Sequence, residues 1–329
     1  MNKFYIENKE DLRVLIVNTA RKKNISEAVI EKDYWVTFIL DYLFNENKWK
    51  EYFTFKGGTS LSKCFGLIER FSEDIDLILD WRVLGYEEKE PWIERSNTKQ
   101  DKFNKEVNEK TEVFLRDEFL KVLEEDFKDM DFEFSIDTID PQTILCKYPK
   151  IFKSNYLTQN IRLEIGSLAA WTPAIDVEIA PLISDAYPDV FKEKTNIRTV
   201  SAERTFWEKA TILHQEANRL ESSRIPQRYA RHYYDLYRIA NSKYKNKSLE
   251  DMNLLKKVTE FKMKFYHIKW AKYEEILNGR LKLIPDELRL HELVKDYKDM
   301  AEMIYGDYPS FEEIIKGLQA LEKEINKLI

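Results

Sequence analysis

Apolar positions along the chain switch between helical and strand periods, and the switches outline its organisation. Between Glu10 and Asn45, Leu12, Leu15, Ile16 and Ala20, then Ile30, Tyr34, Trp35, Phe38, Ile39, Tyr42 and Leu43, form stripes that predict two or three helices. Tyr52–Phe55 reads as a short strand that ends at Lys56-Gly57-Gly58, and Thr59 to Glu69 as a helix opened by hydroxyl residues. Phe71 to Asp80 alternates, with Ile75, Leu77 and Leu79 on one face and Asp74 and Asp76 on the other, because strand side chains repeat with period two. A helical stretch from Thr98 to Asp126 follows, then strand-like alternation in Phe132–Ile139, Thr143–Tyr148, Asn160–Leu168 and Ile175–Ile179. Beyond about residue 195 the strands are expected to stop. Ser201–Leu220, Pro226–Asn241, Leu249–Trp270, Asp286–Met303 and Ser310–Leu328 read as amphipathic helices. The expected fold is therefore α+β, a mixed or antiparallel sheet flanked by helices over residues 1–190, followed by a C-terminal helical bundle over 191–329.

Composition agrees. With 43% hydrophobic and 34% charged residues in 329, the chain can bury a sizeable core under a charged surface, which excludes a disordered or collagen-like protein. Cys64 and Cys146 show no metal-ligand spacing, and no run of 18 apolar residues appears. Both features point to a cytoplasmic protein without membrane association. Gly is rare, at 8 residues, so the pair Gly57-Gly58 stands out.

The chemistry concentrates there. Asp74 and Asp76, two apart on a strand, project the same way and repel each other; a divalent cation relieves that repulsion, and Mg2+ is typically held by one or two carboxylates plus substrate phosphates. A Gly pair opening a helix lets backbone N–H groups and the hydroxyls of Thr59, Ser60 or Ser62 approach a triphosphate. A lone Asp-x-Asp reads first as a solvated strand edge; coupled to the Gly pair the reading reverses and it becomes a site.

Lys56-Gly57-Gly58-Thr59-Ser60-Leu61-Ser62-Lys63 with Arg70-Phe71-Ser72-Glu73-Asp74-Ile75-Asp76-Leu77 resembles the signature of the AbiEii/AbiGii toxin family, a branch of the polymerase-beta-like nucleotidyltransferase superfamily. Ile30-Glu31-Lys32-Asp33-Tyr34-Trp35-Val36, Glu208-Lys209-Ala210 and Arg231-His232-Tyr233-Tyr234-Asp235-Leu236 agree with it, so the resemblance runs from about residue 28 to 240. It implies a metal-dependent nucleotidyltransferase acting as the toxin of a toxin–antitoxin or phage-abortive-infection system. By the same resemblance, Asp74, Asp76 and a third carboxylate would hold two Mg2+ ions, with Mn2+ as an alternative. Glu164 is the first choice for that carboxylate and Asp176 and Glu178 are its competitors. Lys56, Gly57, Gly58, Thr59, Ser60, Ser62, Lys63, Ser72 and Lys209 would contact the nucleotide, and Asp235 would position Lys209 or the nucleotide. His232 and His214 are expected to pack or hydrogen-bond.

Charge is uneven. Residues 101–140 hold 14 acids and 6 bases, whereas 188–247 hold 13 Lys/Arg and 7 acids inside a chain of net charge -6. Arg224, Arg228 and Arg231, interleaved with Tyr229, Tyr233, Tyr234 and Tyr237, suit phosphate contacts with base stacking, or equally a basic helix face packed by aromatics. The resemblance implies transfer of NMP from GTP, CTP or another NTP to an RNA acceptor, the 3′ end of tRNA, and a cognate antitoxin that need not form a stable complex. The rivals are transfer to a protein hydroxyl and a non-catalytic NTP sensor.

Overall fold

A computed structural model describes every residue except 1–3, 73, 155–157 and 159, so Glu73 of the motif lies outside the described residues. The chain forms two compact units: Met1–Cys64 with Ser72–Thr199, and Phe65–Phe71 with Val200–Ile329.

The first unit is built on a seven-stranded mixed sheet. Its strands are β1 (Phe53–Lys56), β2 (Ile75–Leu79), β3 (Glu133–Ile136), β4 (Thr143–Lys147), β5 (Asn160–Gly166), β6 (Ala174–Ile179) and β7 (Thr195–Val200), in the order β3-β4-β5-β2-β1-β7-β6. β1 and β2 are antiparallel, and β2 runs parallel to β5. Strand alternation sends Phe53, Phe55, Ile75, Leu77, Leu79, Ile161, Leu163 and Ile165 to one face, all at most 1% exposed. That face packs on α1 (Lys9–Lys23) and α2 (Glu27–Asp41) and on a further helical run. The run comprises α4 (Asn97–Phe114), a π-turn at Leu115–Phe119 and α5 (Leu120–Asp126), after the short α3 (Gly57–Lys63). Asn8 and Ser26 cap α1 and α2 with side-chain oxygens on free N–H groups.

Two expectations are corrected. The chain makes one more strand, β7, beyond residue 195. Its inward residues Thr195 and Thr199 bury hydroxyls instead of hydrocarbon, bonded to Asp41 Oδ1 at 2.6 Å and to the Phe55 carbonyl at 3.0 Å, so hydrophobic periodicity does not reveal it. The helix expected over Thr59–Glu69 stops at Lys63. Gly66 takes a left-handed φ of 60°, and 65–71 belongs to the second unit, where Arg70 bridges Ile304 and the Phe71 N–H donates to the Met303 carbonyl.

The second unit is helical: α6 (Ala202–Ala217), α7 (Ala230–Ala240), α8 (Tyr244–Glu250), α9 (Met252–Phe265), α10 (Tyr273–Ile276), α11 (Glu287–Asp299) and α12 (Phe311–Ile325). α6 packs against α7, α8 and α9, and α12 lies against α7. α12 buries Phe311, Ile314, Leu318, Leu321 and Ile325 at helical spacing, after a capping box made by Ser310 and Glu313. Among the described residues no helix is long and apolar enough to cross a membrane.

Candidate active site

The polar face of the sheet carries one cross-strand row: Lys56 pairs in register with Asp76, Asp76 with Glu164, and Glu164 with Thr143. β2 and β5 therefore set Asp76 and Glu164 side by side, about 4.8 Å apart at the backbone. Burial raises the Glu164 pKa, and the Asp76 charge raises it further, against the opposing effect of Arg162, whose Nε is 3.3 Å from Glu164 Oε1. The competitors lie elsewhere. β6 is three strands from β2, or about 14 Å. There Asp176 lines a cavity of about 560 Å³ with Lys50, Asn196 and Arg198, and Glu178 faces Lys194.

Gly57 has φ 82°, and a Cβ built on it would lie 2.0 Å from Asp76 Oδ2, so the carboxylate occupies the space any other residue would fill. Thr59 is buried in α3; its Oγ1 donates to the Asp74 carbonyl at 2.5 Å and lies 3.0 Å from the Ser72 hydroxyl. That ties the helix to the chain entering β2. Asp74 is half-buried immediately before the strand. The Ser60 hydroxyl turns inward to the Gly57 carbonyl at 2.9 Å. Gly58 is buried, whereas Lys56 and Ser62 are half-buried. Lys63, expected on the nucleotide, instead forms an ion pair with Asp33 of α2.

The donor set of Asp76 and Glu164 is oxygen-only, and their mutual repulsion already appears in the raised Glu164 pKa, so these residues fit the protein's share of a Mg2+ shell. Among the described residues no group of three or more His, Cys, Asp and Glu side chains is arranged to hold a metal unaided.

A second constellation lies within the helical unit. Asp235 of α7, fully buried, accepts from Arg70 Nε at 2.7 Å, from Arg70 Nη2 at 2.9 Å and from Lys209 Nζ at 2.8 Å. Burial pushes its pKa up, but the two cations outweigh burial and hold it well below the usual carboxylate range. Lys209 of α6 has its pKa lowered, chiefly by burial, and its Nζ is 3.0 Å from His232 Nδ1. Burial, with Lys209 and Arg231, pushes His232 well down, leaving a neutral ring that accepts from the ammonium. His214 is a buried packing residue, with Nδ1 accepting from the Lys282 N–H and Nε2 against the Lys272 carbonyl. Arg70 lies in the motif that leads to Asp74, but its 165-residue separation from Asp235 leaves no local signal of this pairing.

Of the RNA candidates, Arg224 and Arg228 are exposed in the α6–α7 link and Arg231 is half-buried. Arg228 is left-handed at φ 62°, and Asp296 caps the N–H groups of Arg228 and Ala230, which is why α7 starts later than the expected Pro226. Tyr233 and Tyr234 are 0% exposed, so they pack the core and offer no stacking surface.

The model of the family described as nucleotidyl transferase AbiEii toxin, type IV toxin–antitoxin system, matches residues 39–317. Among solved structures, MenT4, a nucleotidyltransferase toxin from Mycobacterium tuberculosis H37Rv, is similar at 15% identity and a TM-score of 0.45, with 95% of this chain and 97% of that chain covered. No curated protein matches.

Proposed function

The chain belongs to the AbiEii family of nucleotidyltransferase toxins of type IV toxin–antitoxin systems, and from that premise we propose that it transfers NMP from an NTP to a hydroxyl of RNA, the 3′ end of tRNA. The observation that carries this reading is the register pairing of Asp76 with Glu164 beside the Gly57 turn.

Asp74, Asp76 and Glu164 would hold Mg2+, or Mn2+ in its place, which when bound neutralises charge on the nucleotide phosphates. The rest is done by the chain's own groups. Gly57 lets the Asp76 carboxylate close against the turn that opens α3, so nucleotide phosphates would lie beside that turn and carboxylate, with Lys56 and Ser62 at the rim. Thr59 and Ser72 hold that turn to the strand. The acceptor oxygen forms its bond to the α-phosphorus as the bond to the bridging oxygen breaks, and pyrophosphate leaves. Glu164, set beside Asp76 by the strand register, takes the hydroxyl proton. Within the helical unit Asp235 and His232 hold Lys209, the candidate phosphate ligand there, and Arg224, Arg228 and Arg231 are its candidate contacts to the RNA backbone. Catalysis is then mostly positioning and charge stabilisation.

Incubating the full chain with each labelled NTP, Mg2+ and total RNA, then locating the label, tests this. Label on tRNA with release of pyrophosphate is expected. Label on protein, or NTP binding without pyrophosphate, would replace the RNA reading with one of its rivals. A cognate antitoxin is expected to suppress the activity without a lasting complex.

A further inference from the structure

Three consecutive charged residues of α2, Glu31, Lys32 and Asp33, are buried or nearly so, and each holds a different segment. The Glu31 carboxylate accepts from the Ile151 and Phe152 N–H groups at 2.6 and 3.0 Å. Lys32 Nζ donates to Thr158 at its carbonyl and hydroxyl. Asp33 takes the Leu182 N–H on Oδ2 at 2.6 Å and the Lys63 ammonium on Oδ1. The Asp33 and Lys63 side chains are only 10% and 7% exposed, so water does little to loosen this pair.

Lys63 is the last residue of α3, six residues or about 9 Å from Gly57 at helical rise. The helix is therefore held at its far end by Asp33 and in its first turn by Thr59 on the Asp74 carbonyl. A seven-residue helix has too little length to stay in place by itself. We infer that Asp33 is a positioning residue for transfer: through Lys63 it fixes α3, and with it the Gly57 turn, against Asp76. The motif lysine serves this tie and does not bind the nucleotide. The inference rests on the transferase reading for its consequence, while the tie itself is independent of it.

The test compares wild type, Asp33→Asn, Lys63→Met and the double variant as full chains. Nucleotide transfer is measured at varied NTP, and hydrogen exchange is followed in the peptide covering 56–63. Each single variant is expected to lower kcat about 10- to 100-fold, the effect of misplacing a site by about 1 Å, with KM for NTP within about threefold. Exchange in 57–63 should rise about tenfold, and the double variant should be no worse than the poorer single, since both remove one tie. Lys63→Arg, which keeps the ion pair, should recover most of the activity. Lys63→Met covers the case in which Asp33→Asn does not fold, because it breaks the tie and leaves the Leu182 bond intact. A roughly tenfold rise in KM for Lys63→Met with none for Asp33→Asn would make the lysine a phosphate ligand and overturn the inference. Unchanged exchange and kcat would overturn it as well. If wild type transfers nothing, the transferase reading falls, and exchange alone decides whether the pair holds α3.

Discussion

The Asp76 carboxylate stands where the side chain of residue 57 would be, with Oδ2 2.0 Å from an ideal Cβ at Gly57. Turn and carboxylate are therefore fitted to each other. Gly57→Ala would meet both this clash and a left-handed φ that costs an L-residue about 1–2 kcal/mol. Transfer should drop at least about 100-fold with a smaller loss of thermal stability, measured as kcat/KM beside Tm. Unchanged kinetics would mean that the turn takes no part.

Asp74→Asn and Asp76→Asn should each abolish transfer while leaving Tm within a few degrees of wild type. Neither change alters side-chain volume appreciably. Incorporation close to wild type by either variant with Mg2+ present would remove the carboxylates from the mechanism.

Chelation by EDTA should silence the enzyme, and Mg2+ or Mn2+ should restore it. The same titration followed on Glu164→Gln should need a higher metal concentration, because one oxygen donor of the pair loses its charge. Equal metal dependence of the two proteins would assign the third carboxylate elsewhere.

Removing Asp235 leaves Lys209 and Arg70 buried without their counter-ion, so Asp235→Asn should destabilise the fold by about 3–5 kcal/mol in urea melts. Lys209→Met leaves the Arg70–Asp235 pair whole and should cost less stability. It should weaken NTP binding far more than Lys63→Met does.

Acid should weaken the fold in two stages. His232 and His214 have pKa values below that of a free histidine, so the unfolded chain takes up their protons first, and stability falls as pH drops below about 6.5, by up to about 1.4 kcal/mol per pH unit for each. Asp235, depressed in the folded state, adds stability above about pH 3.9 that is lost at lower pH. His232→Asn should flatten the upper stage in urea melts taken from pH 7 to 5.

Periodicity made the sheet face legible, since Ile75, Leu77 and Leu79 point one way whatever their partners are. It also put Glu164 on the polar face of its strand, but periodicity alone left Asp176 and Glu178 as equal competitors, and the preference for Glu164 rests on the family resemblance. Hydroxyl-lined β7 escaped the same logic, as Thr195 and Thr199 satisfy burial by hydrogen bonds. Ion pairs spanning 30 and 165 residues, Asp33 with Lys63 and Arg70 with Asp235, have no local pattern at all. Of the tyrosines spaced for stacking, Tyr233 and Tyr234 are core while Tyr229 and Tyr237 are half-buried, because helical spacing describes a stripe without saying whether solvent or protein covers it.

β1 lies between β2 and β7, so its outer edge is completed only by residues 195–200. α2, whose charged residues need partners at 151, 152, 158 and 182, likewise waits for late chain. During translation the glycine turn and Asp76 thus emerge long before Glu164 and the strand β7 that complete the sheet around them. The proposed site is therefore not assembled until about three fifths of the chain has been synthesised.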